Sequence, residues 1–196
     1  MMKPFTDIYI YKLHSTLYFN FSYTYLKTIF RKYYNYNIDN KITFNAYKKP
    51  YIKDNTYYFN ISHSGNYLVI IISDKEVGID IQRKIEIDLR ISNRFFHHKE
   101  VEYINQYNSI NRFFTVWTIK ESYIKFLGMG LHKKLNQFIV EENVKDTYII
   151  IENDINKNVN IELLSVEDNY FLSICHLNDY INKIVFDSNR KYLSIG

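Results

Sequence analysis

The run Tyr67-Leu68-Val69-Ile70-Ile71-Ile72-Ser73 restricts the possible folds more than any other segment of this chain. It is apolar at nearly every position and is bounded by Gly65-Asn66 on one side and Asp74-Lys75-Glu76 on the other, so it reads as a buried strand. A strand with no polar face has to be covered on both sides. Directly after it comes Val77-Gly78-Ile79-Asp80-Ile81-Gln82. This second strand sends Ile79 and Ile81 to one face and Asp80 and Gln82 to the other. Upstream, residues 57–62 read as a strand entering a polar turn, Ser62-His63-Ser64-Gly65-Asn66.

Residues 15–34 lack Gly and Pro and suit a helix. Residues 99–107 and 112–127 read as two more, the second closed by Gly128 where a left-handed cap is usual. Strand-like runs return at 148–152, 160–165, 170–176 and 183–186. Helix plus strands thus occurs on each side of residues 74–77. The expected architecture is α+β, with two similar halves, 1–76 and 77–196, each a small antiparallel sheet packed with helix.

With 196 residues, 46% hydrophobic and 18% aromatic, the chain can bury a sizeable core. Its net charge of +4 comes without the long Lys/Arg run of a nucleic-acid arm, so a moderately anionic partner fits better than nucleic acid. No segment reaches the ~18 apolar residues of a membrane span, and residues 1–10 do not read as a signal peptide. Cys175 is the only cysteine, which excludes an intrachain disulfide and a Cys-based zinc site and makes a reducing, cytoplasmic setting the expectation.

In the helix at 112–127, Phe113, Val116, Trp117, Ile124 and Leu127 fall in one stripe that should face the core. Glu121 and Lys125 sit on its flank at i, i+4, where they can project into a cleft. Taken alone, such a pair is most often a surface ion pair worth about 0.2–0.5 kcal/mol. Lys120 lies inside the stripe, so it must snorkel out or meet a negative group. Asp80 and Glu121 with the Gln82 amide oxygen make a hard-oxygen set sufficient for Mg²⁺ on a phosphorylated substrate. The spacing does not show that they meet. Ser62-His63-Ser64-Gly65 offers hydroxyls, backbone N–H groups and an imidazole to a phosphate, or is a plain polar hairpin. His97 and His98 are adjacent and lack a third ligand, which argues against a metal site.

Three segments in this order resemble the 4'-phosphopantetheinyl transferases of the surfactin-synthetase-activating type: Phe59-Asn60-Ile61-Ser62-His63-Ser64-Gly65, then Val77-Gly78-Ile79-Asp80-Ile81-Gln82, then Phe114 to Lys125 with its Trp117-Thr118-Ile119-Lys120-Glu121 core. Phe95-Phe96 ahead of Glu100, and Lys49-Pro50 upstream, extend the match. The resemblance implies two pseudo-symmetric halves with coenzyme A bound between them. It implies Mg²⁺ on Asp80 and Glu121, with Gln82 standing where many members have Glu. It makes Glu121 the group that orients or deprotonates a carrier-protein serine, with Lys125 and Lys120 as the further catalytic groups, on leaving phosphate and anionic substrate. Lys49, Ser62 and His63 would contact coenzyme A phosphates, and Lys27, beside Arg31, would supply the N-terminal basic contact.

The implied partners are an acyl or peptidyl carrier protein and coenzyme A, with no nucleic acid and no membrane. A monomer is expected, because one chain holds both halves. The segment 85–96, with Arg90 and Arg94, is the expected carrier-docking surface. Two alternatives stay open on the residues: a non-catalytic coenzyme A-binding relative, suggested by Gln82, and a metal-dependent phosphohydrolase or nucleic-acid-processing enzyme using the same carboxylates.

Overall fold

The structure, a computed structural model, describes residues 4–14, 21–107 and 109–187. The first elements in chain order are β1 (Thr6–Lys12), α1 (Ser22–Tyr33), β2 (Ile42–Phe44), β3 (Pro50–Ile52), β4 (Tyr58–Ser64), β5 (Tyr67–Ser73) and β6 (Val77–Arg83). Three helices follow, α2 (Ser92–Phe95), α3 (His98–Gln106) and α4 (Ser109–Leu127). The chain then returns to strands: β7 (Ile139–Val144), β8 (Thr147–Glu152), β9 (Ile155–Asn156), β10 (Asn160–Ser165), β11 (Tyr170–His176) and β12 (Lys183–Asp187).

Two sheets stack at the centre. The first has the order β12-β1-β5-β4 and the second β10-β11-β6. As the sequence demands, every residue of β5 is buried, and its period of two divides the work. Leu68, Ile70 and Ile72 pack against Tyr25, Leu26, Ile29 and Phe30 of α1. Tyr67, Val69 and Ile71 face the second sheet, meeting Val77, Ile79, Ile81, Leu172 and Ile174. Each fully buried aliphatic side chain here contributes about 1.5–3 kcal/mol. On the outer face of the second sheet lies α4, so the layers run α1, first sheet, second sheet, α4.

The fold is α+β with small sheets, each covered by a helix. The first sheet is not purely antiparallel, because β12 joins β1 in parallel. This brings residues 183–187 into the sheet built otherwise from residues 6–73. The expected helix at 15–34 begins at Ser22, and its residues 15–20 lie outside the described part. The polar turn is shorter than expected: Ser64 pairs with Tyr67, so Ser62, His63 and Ser64 belong to β4 and only Gly65-Asn66 turns. The single apolar stripe on α4 is also corrected. The helix lies between the second sheet and α3, so it buries Phe114 and Ser122 toward β11 and Phe113 and Tyr123 toward Phe96 and Phe138.

Two glycines set the geometry around α4. A Cβ on Gly78 would lie 2.0 Å from the Ser122 carbonyl oxygen and 2.4 Å from the Phe126 nitrogen, so only glycine lets β6 and α4 approach this closely. Gly128, at φ +67°, closes α4 in the left-handed conformation, its N–H donating to the Ile124 carbonyl at 3.0 Å.

Candidate active site

Because Ile79 and Ile81 are spent on the core between the sheets, Asp80 points to the other face of β6, toward α4. Its carboxylate is buried to 2% exposure. Oδ1 accepts from Lys125 Nζ at 2.6 Å and from Ser62 Oγ at 2.9 Å. Oδ2 accepts from Gln82 Nε2 at 3.1 Å. Ser62 also accepts from Lys125 Nζ at 2.9 Å, which joins the edge of the first sheet to the second sheet and to α4.

Glu121 stands one helical turn before Lys125. Burial raises its pKa above the usual glutamate range, the neighbouring Asp80 charge raises it further, and Lys125 opposes both. The Asp80 charge thus disfavours the ionised form of Glu121, and a cation beside Glu121 relieves that repulsion. Among the described residues no group of three or more His, Cys, Asp and Glu side chains forms a metal cage. Two carboxylates are enough for a Mg²⁺ that takes its remaining ligands from water and phosphate, so the donor set fits that ion. Gln82 turns its amide nitrogen, not its oxygen, toward Asp80. To present the oxygen as a ligand the amide has to rotate.

His63 lies on the opposite face of β4 from Ser62 and is exposed. Burial of its ring on one side, then the Lys125 charge, lower its pKa against the opposing pull of Asp80, which leaves a neutral imidazole within electrostatic reach of the cluster at pH 7. The structure thus gathers Asp80, Gln82, Ser62 and Lys125 by hydrogen bonds, and Glu121 and His63 by charge.

The other expected site residues have different partners. Lys120 is fully buried, and its ammonium donates to Glu100 Oε1, to the Leu135 carbonyl and to the Phe138 carbonyl, each at 2.7 Å. Glu100 in turn accepts from the Val140 and His97 N–H groups. The negative group that a lysine in the stripe requires is thus Glu100, and all three ammonium donors are used within the protein. Lys49 donates to Glu76 Oε2 at 2.7 Å and to the Phe126 carbonyl at 3.1 Å, tying the C-terminal end of α4 to the start of β6. Lys27 and Arg31 both pair with Asp39 beside α1. None of their contacts among the described residues reaches the Asp80 cluster.

In the segment 85–96, Phe96 is buried against Phe113 and Trp117, so it belongs to the core and not to a docking face. Arg90 and Arg94 are exposed, Arg90 bonded to its neighbour Asp88. Asn60 escapes a reading based on chemistry-bearing side chains, and Ser64 entered it only as a hydroxyl for a phosphate; both accept from β6 N–H groups. The signal for them is polar residues at 60, 62 and 64, every second position of a strand that adjoins a fully apolar one.

Comparison with known proteins places this chain among relatives. Residues 76–175 match the family described as the 4'-phosphopantetheinyl transferase superfamily. The chain is 43% identical over 112 residues to the 4'-phosphopantetheinyl transferase gsp of Aneurinibacillus migulanus, covering 56% of this chain and 47% of that protein. It is 32% identical over 152 residues to the 4'-phosphopantetheinyl transferase Sfp of Bacillus subtilis, covering 75% of this chain and 67% of the relative. A putative 4'-phosphopantetheinyl transferase of Synechocystis, slr0495, is 30% identical over 159 residues, 74% of this chain and 65% of that one. The chain therefore spans about half to two thirds of the length of these relatives.

Proposed function

Since this chain belongs to the 4'-phosphopantetheinyl transferase superfamily, we propose that it moves the 4'-phosphopantetheine arm of coenzyme A onto a serine of an acyl or peptidyl carrier protein. Adenosine 3',5'-bisphosphate leaves. The observation that carries this reading is the convergence of Asp80, Glu121 and Lys125 where the edges of the two sheets meet α4.

In the reaction, the carrier serine oxygen forms a bond to the phosphorus that bears pantetheine, and the bond from that phosphorus to the bridging oxygen breaks. Glu121 accepts the serine proton, directly or through water. Its burial and the Asp80 charge make it a stronger base than an exposed glutamate. Lys125 exchanges its contact with Asp80 for the oxygen on which negative charge builds. His63, exposed on β4, would donate to a coenzyme A phosphate. Asp80 and Glu121 would hold Mg²⁺, with the Gln82 oxygen as a further candidate ligand. That ion would supply positive charge across the pyrophosphate. The residues' own share is positioning and electrostatics.

The proposal takes one chain as the working unit and places the reaction in the cytoplasm. No helix among the described residues is long and apolar enough to cross a membrane. The test is the intact mass of an apo carrier protein incubated with this chain, coenzyme A and Mg²⁺, with a chelator control. A metal-dependent gain of about 340 Da, the mass of the transferred group, is the expected result. Folded chain that binds coenzyme A and leaves several unrelated carriers unmodified would favour the coenzyme A-binding relative instead, with Gln82→Glu as the first variant to try.

A further inference from the structure

β4 is the last strand of the first sheet and β6 the last strand of the second. The two edges face each other, and side chains connect them. The Ile79 N–H donates to Asn60 Oδ1 at 3.1 Å, the Ile81 N–H to Ser62 Oγ at 3.3 Å and the Arg83 N–H to Ser64 Oγ at 2.9 Å. The offset is 19 residues in every case, so this is a regular ladder. β6 pairs with β11 through its other edge. Successive residues of a strand direct their N–H groups to alternate sides, so those of 79, 81 and 83 point away from β11. Such an edge is ordinarily paired with another strand or left to water. Here polar side chains from the neighbouring sheet take the place of a strand.

The ladder brackets Asp80. Its two neighbours, Ile79 and Ile81, are the residues whose N–H groups are held: that of Ile81 lies in the peptide plane directly after Asp80, and that of Ile79 in the plane one residue before it. Gly78 fixes the same strand from the α4 side. Ser62 belongs to both systems, accepting from the Ile81 N–H and donating to the Asp80 carboxylate.

We propose that Asn60 and Ser64, with Ser62 between them, are positioning residues: by substituting for a strand along β6 they hold the Asp80 carboxylate in register with Glu121 and Lys125. The inference rests on the transferase reading through the metal-binding role given to Asp80. The hydrogen bonds of the Asp80 carboxylate among the described residues go to Ser62, Gln82 and Lys125 and those of Asn60 and Ser64 to β6 N–H groups, so their effect on the metal passes through the backbone of β6.

The experiment compares wild type, the double variant Asn60→Ala/Ser64→Ala, and Ser64→Thr, which keeps the hydroxyl acceptor. Mn²⁺ affinity is measured in the presence of coenzyme A by the resonance of the free ion, the KM for coenzyme A by turnover, and amide hydrogen exchange at Ile79 and Arg83 by NMR. The double variant should bind Mn²⁺ about tenfold more weakly, the scale on which outer partners of metal ligands act, and exchange both amides faster, with KM for coenzyme A moving less than about twofold. Ser64→Thr should behave as wild type. If the double variant does not fold, Ser64→Ala at the partly exposed end of the ladder carries the same comparison. Faster exchange with unchanged Mn²⁺ affinity overturns the positioning role and leaves the ladder as plain structure. A wild-type chain that neither binds Mn²⁺ nor modifies a carrier overturns the transferase reading and this proposal with it. A wild type that does both, matched by the double variant, overturns the proposal alone.

Discussion

Glu121 is under a cost set by two features of its surroundings. Glu121 has its pKa raised from 4.5 by burial and by the Asp80 charge. The sign of a test follows directly. Asp80→Asn removes a negative neighbour and frees Lys125 to approach Glu121, so the Glu121 pKa must fall back toward 4.5, which carboxyl-carbon NMR against pH reads out. A rise would mean that Asp80 is not its neighbour. Gly78→Ala makes a second test at this scale. Its Cβ would overlap the α4 backbone, so α4 must shift, at a cost of about 1–3 kcal/mol by overpacking and with loss of metal affinity; urea unfolding and Mn²⁺ titration check the two parts. That Asp80 and Glu121 belong to one site was implied only by the family resemblance, whereas their faces were legible from strand alternation and from the i, i+4 pattern on the helix. The surroundings of Lys120, Lys49 and Lys27 were not, because a lysine's partner is set by tertiary approach: Glu100 lies on a different helix, and Asp39 is held near α1 only by the folded loop.

Among the elements, α4 carries the most. One face packs on the second sheet and another on α3, and the Lys120–Glu100 pair locks it to α3 and to the turn at 135–138. Burial pulls Lys120 down and Glu100 up in pKa, each toward its neutral form, while their mutual attraction opposes both shifts. Removing one member leaves the other buried without its counter-charge. Lys120→Met should therefore cost about 3–5 kcal/mol, and Glu100→Gln added to it should recover part of that, as equilibrium denaturation of the single and double variants would show. If Lys120→Met unfolds at the wild-type midpoint, the pair is not what holds the helix. The strands show where periodicity succeeds. β5, β10 and β11 were legible to the residue, since apolar or alternating runs bounded by turn residues admit little else. β1 was not. Its tyrosines and Asp7 read as polar, yet Tyr9 and Tyr11 are buried and Tyr34 donates to Asp7 at 2.7 Å, so the polar atoms are satisfied inside the fold. β2 and β3, at three residues each, are too short for any pattern.

At the scale of the whole molecule, the two sheets close on each other in two places. One is the β4–β6 ladder beside the candidate site. The other joins the first and last described strands: Asn178 donates to the Phe5 carbonyl at 2.8 Å and to Asp74 Oδ1 at 2.7 Å, and β12 pairs with β1. His176, two residues before Asn178, is fully buried at this second junction. Burial lowers its pKa below 6.5 against the Asn178 backbone, and although Glu162 Oε1 lies 3.9 Å from Nε2, neither ring nitrogen makes a hydrogen bond. The unfolded chain takes up this proton first. The His176 contribution is thus fully present above about pH 6.5 and is lost as the pH falls from there through the lower folded value. Urea midpoints measured against pH should show that decline in wild type and not in His176→Leu; a decline of equal size in both would assign it to other groups. The order of the first sheet, with its C-terminal strand beside its N-terminal one, had no trace in local sequence, because a pairing between residues 7–11 and 183–187 is decided by the assembled core.

The central claim is that carboxylates from the two segments, Asp80 on β6 and Glu121 on α4, act as one site for phosphopantetheine transfer. Its most direct test is the rate at which Glu121→Gln, shown to be folded and to bind coenzyme A, modifies an apo carrier protein beside wild type at saturating Mg²⁺. The account predicts a loss of at least about a hundredfold, the scale of removing a group that acts on developing charge, while coenzyme A remains bound. Modification by Glu121→Gln at the wild-type rate would contradict it.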